Sequence, residues 1–137
     1  MASDAAGSDE RRTRVLVVDD DPGVRNFLRM LLELEGYEVV TVRNGIEALE
    51  AQRSNPAAIV LTDIFMPDAE GMETIVQLRA EFPQSKIIVM SGGGTHRGVD
   101  YLRLAQELGA AKALKKPFAP QELIDAMREV AGTQPAA

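Results

Sequence analysis

Five short apolar runs, separated by segments with helical spacing, constrain the fold of this chain more than any other feature of its sequence. Three of the runs are nearly continuous in β-branched residues, as expected of strands that are covered on both faces. Such an alternation is typical of an α/β domain, in which helices cover both faces of a parallel sheet and each crossover is right-handed. The runs lie at residues 15–18, 38–41, 58–62, 86–90 and 111–114.

The segment between the first two runs carries the clearest helix signals. Asp21 can cap a helix and Pro22 suits the first helical position, while Gly36 is placed to end the helix. Four further helical segments follow, and the apolar positions of one of them begin at Val99 and lead to Gly109. The pattern therefore predicts five βα units.

Composition and length exclude several classes of protein. The chain has no cysteine, which excludes disulfides, thiolate metal sites and cysteine nucleophiles. Its net charge of −6 argues against nucleic-acid binding. It has neither a secretory signal nor a run near the roughly 20 apolar residues that span a bilayer, so we expect a cytoplasmic protein without a membrane partner. The 137 residues suit one domain, expected at 14–131 between polar tails at 1–13 and 132–137.

Reactive side chains follow four of the five apolar runs. Asp19 and Asp20 follow the first, Asp63 the third, Ser91 the fourth and Lys116 the fifth. Each residue alone could be a cap, a turn residue or a surface residue. Ligands of open α/β sheets, however, bind beyond the carboxyl ends of the strands, so this repeated placement favours one shared site.

The residue types at these positions indicate phosphoryl chemistry with a divalent metal. Converging carboxylates stay ionised together only when a cation lies among them. Oxygen ligands without histidine or cysteine favour Mg²⁺, with Mn²⁺ as an alternative, and an aspartate can itself act as a nucleophile. The metal and Lys116 would neutralise the phosphoryl oxygens, Ser91 would donate a hydrogen bond to one, and glycines 92–94 would let the backbone approach.

With these motifs the sequence resembles the receiver domain of two-component response regulators, from about Thr13 to Gly132. The resemblance implies a single flavodoxin-like domain, with a doubly wound five-stranded parallel sheet of order 2-1-3-4-5 and five helices. The matching segments are Val17–Pro22, Thr62–Pro67 with Gly71 following, Val89–Gly92, Leu108–Ala110 and Lys116–Phe118.

The resemblance also assigns the metal ligands. Asp20 and Asp63 would bind Mg²⁺ directly, and Asp19 would bind it mainly through water. The backbone carbonyl of Phe65 would complete the ligands that the protein supplies.

Asp63 would be the phosphoacceptor, and Ser91 and Lys116 would contact the phosphoryl group. The bond between Lys116 and Pro117 would be cis. The donor would be a phosphohistidine on a sensor histidine kinase or a phosphotransfer protein. The domain would catalyse only its own phosphorylation and dephosphorylation, and so would not be an enzyme in the usual sense. Because no output domain follows the last helix, we expect signalling through contact with another protein, as in chemotaxis-type adaptors or phosphorelay intermediates.

Three positions depart from the pattern of the family, and one of them, Glu70 in place of the commoner aspartate, is expected to change nothing. Ala113 stands where receivers usually carry an aromatic residue, so the usual serine-and-aromatic switch is replaced, on our hypothesis, by backbone rearrangement of residues 91–98. Phe65 stands where a polar side chain is common, and its ring would either shield the phosphoryl group from water or simply pack on the surface. The signalling surface is expected to include 95–109, 111–114 and the last helix.

Two other functions compete with this interpretation. A phosphatase of the haloacid dehalogenase type would use Asp19 and Asp21 as its paired aspartates, but Gly23 stands where threonine or valine is needed and Asp63 would have no role. Turnover of a generic phosphate ester would favour that alternative. A pseudo-receiver, which binds partners without taking phosphate, is the other possibility.

Overall fold

A parallel sheet lies at the centre of the computed structural model, which describes residues 12–64, 70–91, 95–96 and 99–132. Within these residues five helices accompany the sheet, and two further strands of two residues each pair with one another. In chain order the elements are β1 (Arg14–Val18), α1 (Pro22–Leu34), β2 (Glu38–Val42), α2 (Gly45–Ser54), β3 (Ile59–Asp63), α3 (Glu70–Glu81), β4 (Lys86–Ser91), β5 (Thr95–His96), β6 (Val99–Asp100), α4 (Tyr101–Glu107), β7 (Lys112–Lys115) and α5 (Pro120–Gly132).

The main sheet has the strand order β2-β1-β3-β4-β7, and every neighbouring pair is parallel. Counting only its own five strands, this is the predicted order 2-1-3-4-5. The chain therefore has the flavodoxin-like fold, and the order reverses between β1 and β3, where such sheets bind their ligands.

Successive side chains of each strand point to opposite faces of the sheet, so each strand contributes to two cores. Val15 and Val17 pack with α1 and α5, whereas Leu16 and Val18 pack with α2, α3 and α4. Burial on both faces explains why the strands are continuously apolar in sequence. The helix residues of the two cores are Leu28, Leu32, Leu123 and Met127 on one side and Ala48, Leu49, Ile75, Leu78 and Ala105 on the other.

The predicted limits of α1 are confirmed. The Asp21 carboxylate accepts hydrogen bonds from the backbone N–H groups of Gly23 and Val24, at 2.8 and 3.4 Å, which satisfies two donors that the first helical turn leaves free. Gly36 follows the helix with a φ of 96°, a left-handed conformation that favours glycine. The cap matters for function because it sets the course of the chain directly after β1.

The predicted start of the fourth helix is wrong. Val99 lies in β6, which pairs antiparallel with β5 in the register His96–Val99, and α4 begins only at Tyr101. Apolar spacing does not show where a helix begins, because an apolar residue just before the first turn can stand at a position that continues the helical spacing. The β-branched side chain of Val99 also suits an extended backbone.

Within the described residues, no helix is both long enough and apolar enough to span a bilayer.

Candidate functional site

Three carboxylates meet where the sheet order reverses. Asp19, Asp20 and Asp63 each offer an oxygen, and these oxygens lie within 4.8 Å of one another. The proximity of Asp19 and Asp63 follows from the register of β1 and β3, in which Val18 is paired with Thr62. The residue after each member of this pair is an aspartate, so both aspartates lie at the same edge of the sheet. Asp19 and Asp63 are buried, with 1% and 8% of their surface exposed, whereas Asp20 faces solvent.

Lys116 neutralises part of this charge. Its Nζ donates hydrogen bonds to Oδ2 of Asp19 at 3.2 Å and to Oδ2 of Asp63 at 3.1 Å. Burial alone would lower the pKa of Lys116, but the charges of Asp63 and Asp19 outweigh that effect and raise the pKa above its ordinary value. The side chain is therefore an ammonium group that bridges two carboxylates.

The backbone around Lys116 joins the ends of β4 and β7. The Lys116 N–H donates to the carbonyl of Ser91 at 2.6 Å, one step beyond the register pair Ser91–Lys115. The peptide bond between Lys116 and Pro117 is cis, as the family resemblance implies. Ser91 is also buried. It lies at the same edge of the sheet as Asp63, because its neighbour Met90 is paired with Asp63.

Asp19 is held from several directions. Its N–H donates to the carbonyl of Val42 at 3.2 Å, and its Oδ1 accepts from the N–H of Asp21 at 3.0 Å. Its carbonyl oxygen accepts from Nη1 of Arg25 at 2.8 Å. Arg25 could not be found from the sequence, because a polar residue in the first turns of an amphipathic helix carries no mark of what it contacts.

The structure thus brings together Asp19, Asp20, Asp63 and Lys116 and places Ser91 at the same edge of the sheet. Two other predicted features, Phe65 and glycines 92–94, lie outside the described residues.

The donor set fits a hard divalent cation. Three carboxylates face one ammonium group, so the cluster keeps excess negative charge. Octahedral Mg²⁺ binds oxygen at 2.0–2.1 Å, which separates neighbouring ligands by about 3 Å and opposite ligands by about 4 Å. The three oxygens are close enough for such an ion once small rotations or retained waters complete its shell.

An apolar groove opens beside the charged cluster. It has a volume of about 660 Å³, and Phe27, which is 46% exposed, lines it together with Val24 and Phe118. Asp21 and Lys116 form its polar boundary. A contiguous apolar surface of this kind, bordered by polar residues, is typical of a site that contacts another molecule.

Comparison with known proteins identifies the family. The response regulator receiver domain model matches residues 15–128, and the chain belongs to this family. It is 40% identical, over 119 residues, to a transcriptional regulatory protein CpxR homolog from Haemophilus influenzae, covering 86% of this chain and 50% of that protein. It is 37% identical, over 115 residues, to a response regulator MprA from a Mycobacterium species, covering 84% of this chain and 49% of that protein.

Solved structures agree with this assignment. A CheY-like receiver domain protein from Methanospirillum hungatei superposes with a TM-score of 0.79 at 30% identity, covering 90% of this chain and 96% of that one. The chain spans about half the length of the two curated relatives. Receiver domains are signalling modules of two-component systems that interact with histidine kinases or phosphotransfer proteins, are phosphorylated by kinases and bind Mg²⁺ at an acidic site.

Proposed function

We propose that this chain accepts a phosphoryl group on Asp63 from a phosphohistidine, in a reaction that depends on Mg²⁺. One observation carries the proposal: the Asp63 carboxylate is buried beside two other carboxylates and is held by Lys116 at 3.1 Å. A lone aspartate at a strand end would need neither the acidic neighbours nor the bridging ammonium. The same arrangement speaks against a pseudo-receiver, because the charged groups would then destabilise the fold without serving a reaction.

The transfer needs little from the protein beyond position and charge. An oxygen of Asp63 forms a bond to phosphorus while the bond between phosphorus and the donor imidazole breaks. The imidazole nitrogen keeps the electron pair and, if the other ring nitrogen carries a proton, leaves as neutral imidazole. The burial of Asp63 assists the transfer, because charges interact more strongly away from water.

Asp20 and Asp63 would hold Mg²⁺ directly and Asp19 mainly through water, with the Phe65 carbonyl as a further ligand; Mn²⁺ is the alternative ion. When bound, the metal supplies positive charge to the phosphoryl oxygens. Asp19 has a second role, because its side chain and carbonyl tie the end of β1 to Asp21, Arg25 and Lys116.

Lys116 and Ser91 would contact the phosphoryl group after transfer. The Lys116 ammonium already lies 3.1 Å from the acceptor carboxylate, so a modest movement brings it to a phosphoryl oxygen. Ser91, at the end of the neighbouring strand, would donate its hydroxyl to another oxygen.

The donor is proposed to be a histidine kinase or phosphotransfer protein that covers the groove lined by Phe27 and Phe118. A docked protein would exclude water from the charged cluster at the moment of transfer. Signalling is proposed to follow through contact of another protein with residues 95–109, residues 111–114 and the last helix.

The conformational change that follows phosphorylation must differ from one that depends on an aromatic ring at position 113. Ala113 is half-buried in β7, paired with Val89, and packs on the core of α2, α3 and α4. We propose that backbone rearrangement in 91–98 replaces the aromatic switch. Crystal structures with and without beryllofluoride test this, and an unmoved segment would contradict it.

The central test uses intact-mass spectrometry. The protein is incubated with acetyl phosphate and Mg²⁺, and the expected result is the added mass of one phosphoryl group. Asp63→Asn and a sample with EDTA serve as controls, and both should remain unmodified. No added mass on the wild-type protein would refute the proposal, and turnover of a generic phosphate ester would instead favour the dehalogenase-type phosphatase.

A further inference from the structure

The side chain of Arg25 reaches from α1 to the end of β1. Its Nη1 donates to the carbonyl oxygen of Asp19 at 2.8 Å, across a sequence separation of six residues. Arg25 is half-buried, whereas Arg29, one turn further along the helix, is exposed. Among the described residues the Arg29 side chain donates a hydrogen bond only to the hydroxyl of Thr41, at 3.4 Å. The two arginines therefore share a helix and a charge, but only Arg25 contacts the acidic site.

This contact fixes the peptide unit that precedes Asp20. The carbonyl of Asp19 and the N–H of Asp20 belong to the same planar group, so holding the oxygen orients the whole unit. On the other side of Asp20, the N–H of Asp21 donates to Oδ1 of Asp19 at 3.0 Å. The backbone of Asp20 is thus restrained on both sides by contacts that involve Asp19.

The side chain of Asp20 has no comparable support. Asp20 is exposed, and its carboxylate makes no hydrogen bond or ion pair with any residue that the structure describes. Asp19 and Asp63, in contrast, are buried and bound by Lys116. The position of the Asp20 carboxylate therefore depends on its backbone more than that of either neighbour.

The charge of Arg25 is also felt by an acidic residue of α2. That charge contributes a minor part of the lowering of the Glu47 pKa, most of which comes from the hydrogen bonds that Arg43 donates to that carboxylate. Glu47 in turn is anchored to the backbone N–H of Arg43 at 2.9 Å.

We propose that Arg25 is a positioning residue of the metal site, which holds the peptide between Asp19 and Asp20 so that the Asp20 carboxylate faces Asp63. The inference rests on the proposed Mg²⁺-dependent function. Arg25 does not touch the metal or the phosphoryl group, and it acts only through the backbone of Asp19.

Charge and position predict opposite effects for the loss of Arg25. If charge dominated, removing a cation near three carboxylates would tighten the binding of Mg²⁺. If position dominates, binding weakens, because groups that orient metal ligands commonly contribute about tenfold or more to metal affinity. The sign of the change therefore distinguishes the two roles.

The test is calorimetric titration of the full chain with Mg²⁺, together with the thermal midpoint of the metal-free protein. Arg25→Met is expected to weaken Mg²⁺ binding roughly tenfold. Arg25→Lys, which keeps the charge and can restore one hydrogen bond, should recover part of the loss. Arg29→Met, the matched control, should bind Mg²⁺ like the wild type.

Equal or tighter binding of Mg²⁺ by Arg25→Met would overturn the inference. Equal weakening in Arg29→Met would overturn it too, because the effect would then be general to the helix. If Arg25→Met does not fold, Arg25→Gln decides by the same criteria. Failure of the wild-type protein to bind Mg²⁺ would refute the metal site and the role of Arg25 together, whereas normal wild-type binding with an unaffected Arg25→Met would refute only the latter.

Discussion

Nζ of Lys116 lies 3.1 Å from Oδ2 of Asp63, although 53 residues separate the two in sequence. The same ammonium lies 3.2 Å from Oδ2 of Asp19. One cation thus holds together the ends of β1, β3 and β7 beside a cluster of three carboxylates. Phosphorylation and metal binding would both change the net charge of this site.

Replacing Lys116 by Met should destabilise the metal-free protein. Two buried carboxylates would lose their shared cation, and because Lys116 is partly exposed the expected loss is about 1–2 kcal/mol in the free energy of unfolding. Urea unfolding with and without Mg²⁺ measures the effect, and saturating Mg²⁺ should reverse most of it. A loss of the same size at saturating Mg²⁺ would show that Lys116 acts through packing rather than charge. Lys115→Met is the control, because Lys115 is an exposed lysine directly before Lys116, at the end of β7.

Asp20→Asn should make the metal-free protein slightly more stable and abolish its response to Mg²⁺. Removing one of three neighbouring carboxylates relieves repulsion, whereas the metal loses a proposed direct ligand. At ten times its dissociation constant, Mg²⁺ should stabilise the wild type by about 1.4 kcal/mol through mass action. Thermal unfolding over a series of Mg²⁺ concentrations tests both effects. A wild-type response in Asp20→Asn would exclude Asp20 as a ligand.

Gly45→Ala should weaken the contact between α2 and α3. A Cβ atom at position 45 would collide with Oγ1 of Thr74, a buried residue of α3, and overpacking of this kind costs about 1–3 kcal/mol. The expected result is a lower urea midpoint, partly restored when Thr74→Ala is added. Gly132→Ala is the control, since a Cβ there meets no atom within 4 Å. Additive losses in the double variant would argue against a direct clash.

Gln52→Met should destabilise the fold without affecting phosphorylation. The buried amide of Gln52 accepts from the N–H of Ala57 at 2.6 Å and donates to Oγ of Ser85 at 3.2 Å, at the edge of the sheet opposite the aspartates. Loss of these bonds leaves buried polar groups unpaired, at about 1–3 kcal/mol. Chemical unfolding and acetyl phosphate labelling, measured at a temperature where the variant is folded, check the two parts. Slower labelling of the folded variant would show that Gln52 affects phosphorylation as well as stability.

Much of the fold could be predicted because it depends on local regularities. Short, continuous apolar runs indicate the strands and helical spacing indicates the helices, while Asp21 and Gly36 mark the ends of α1 through their own backbone chemistry. Helix boundaries are less accessible, as Val99 shows, since pairing of β6 with β5 competes with the first helical turn. The proposed role of Phe65 remains a prediction.

By itself, the sequence determined which residues would stand at the carboxyl ends of the strands. Asp19, Asp63, Ser91 and Lys116 each follow an apolar run, and parallel strands bring such positions to one edge. Only the tertiary structure decided which of these side chains touch, that Lys116 bridges Asp19 and Asp63, and that Arg25 binds the carbonyl of Asp19. The reason is physical: periodicity records which face of an element is buried, whereas side-chain contacts between distant residues depend on strand register and on the reach of long, flexible side chains.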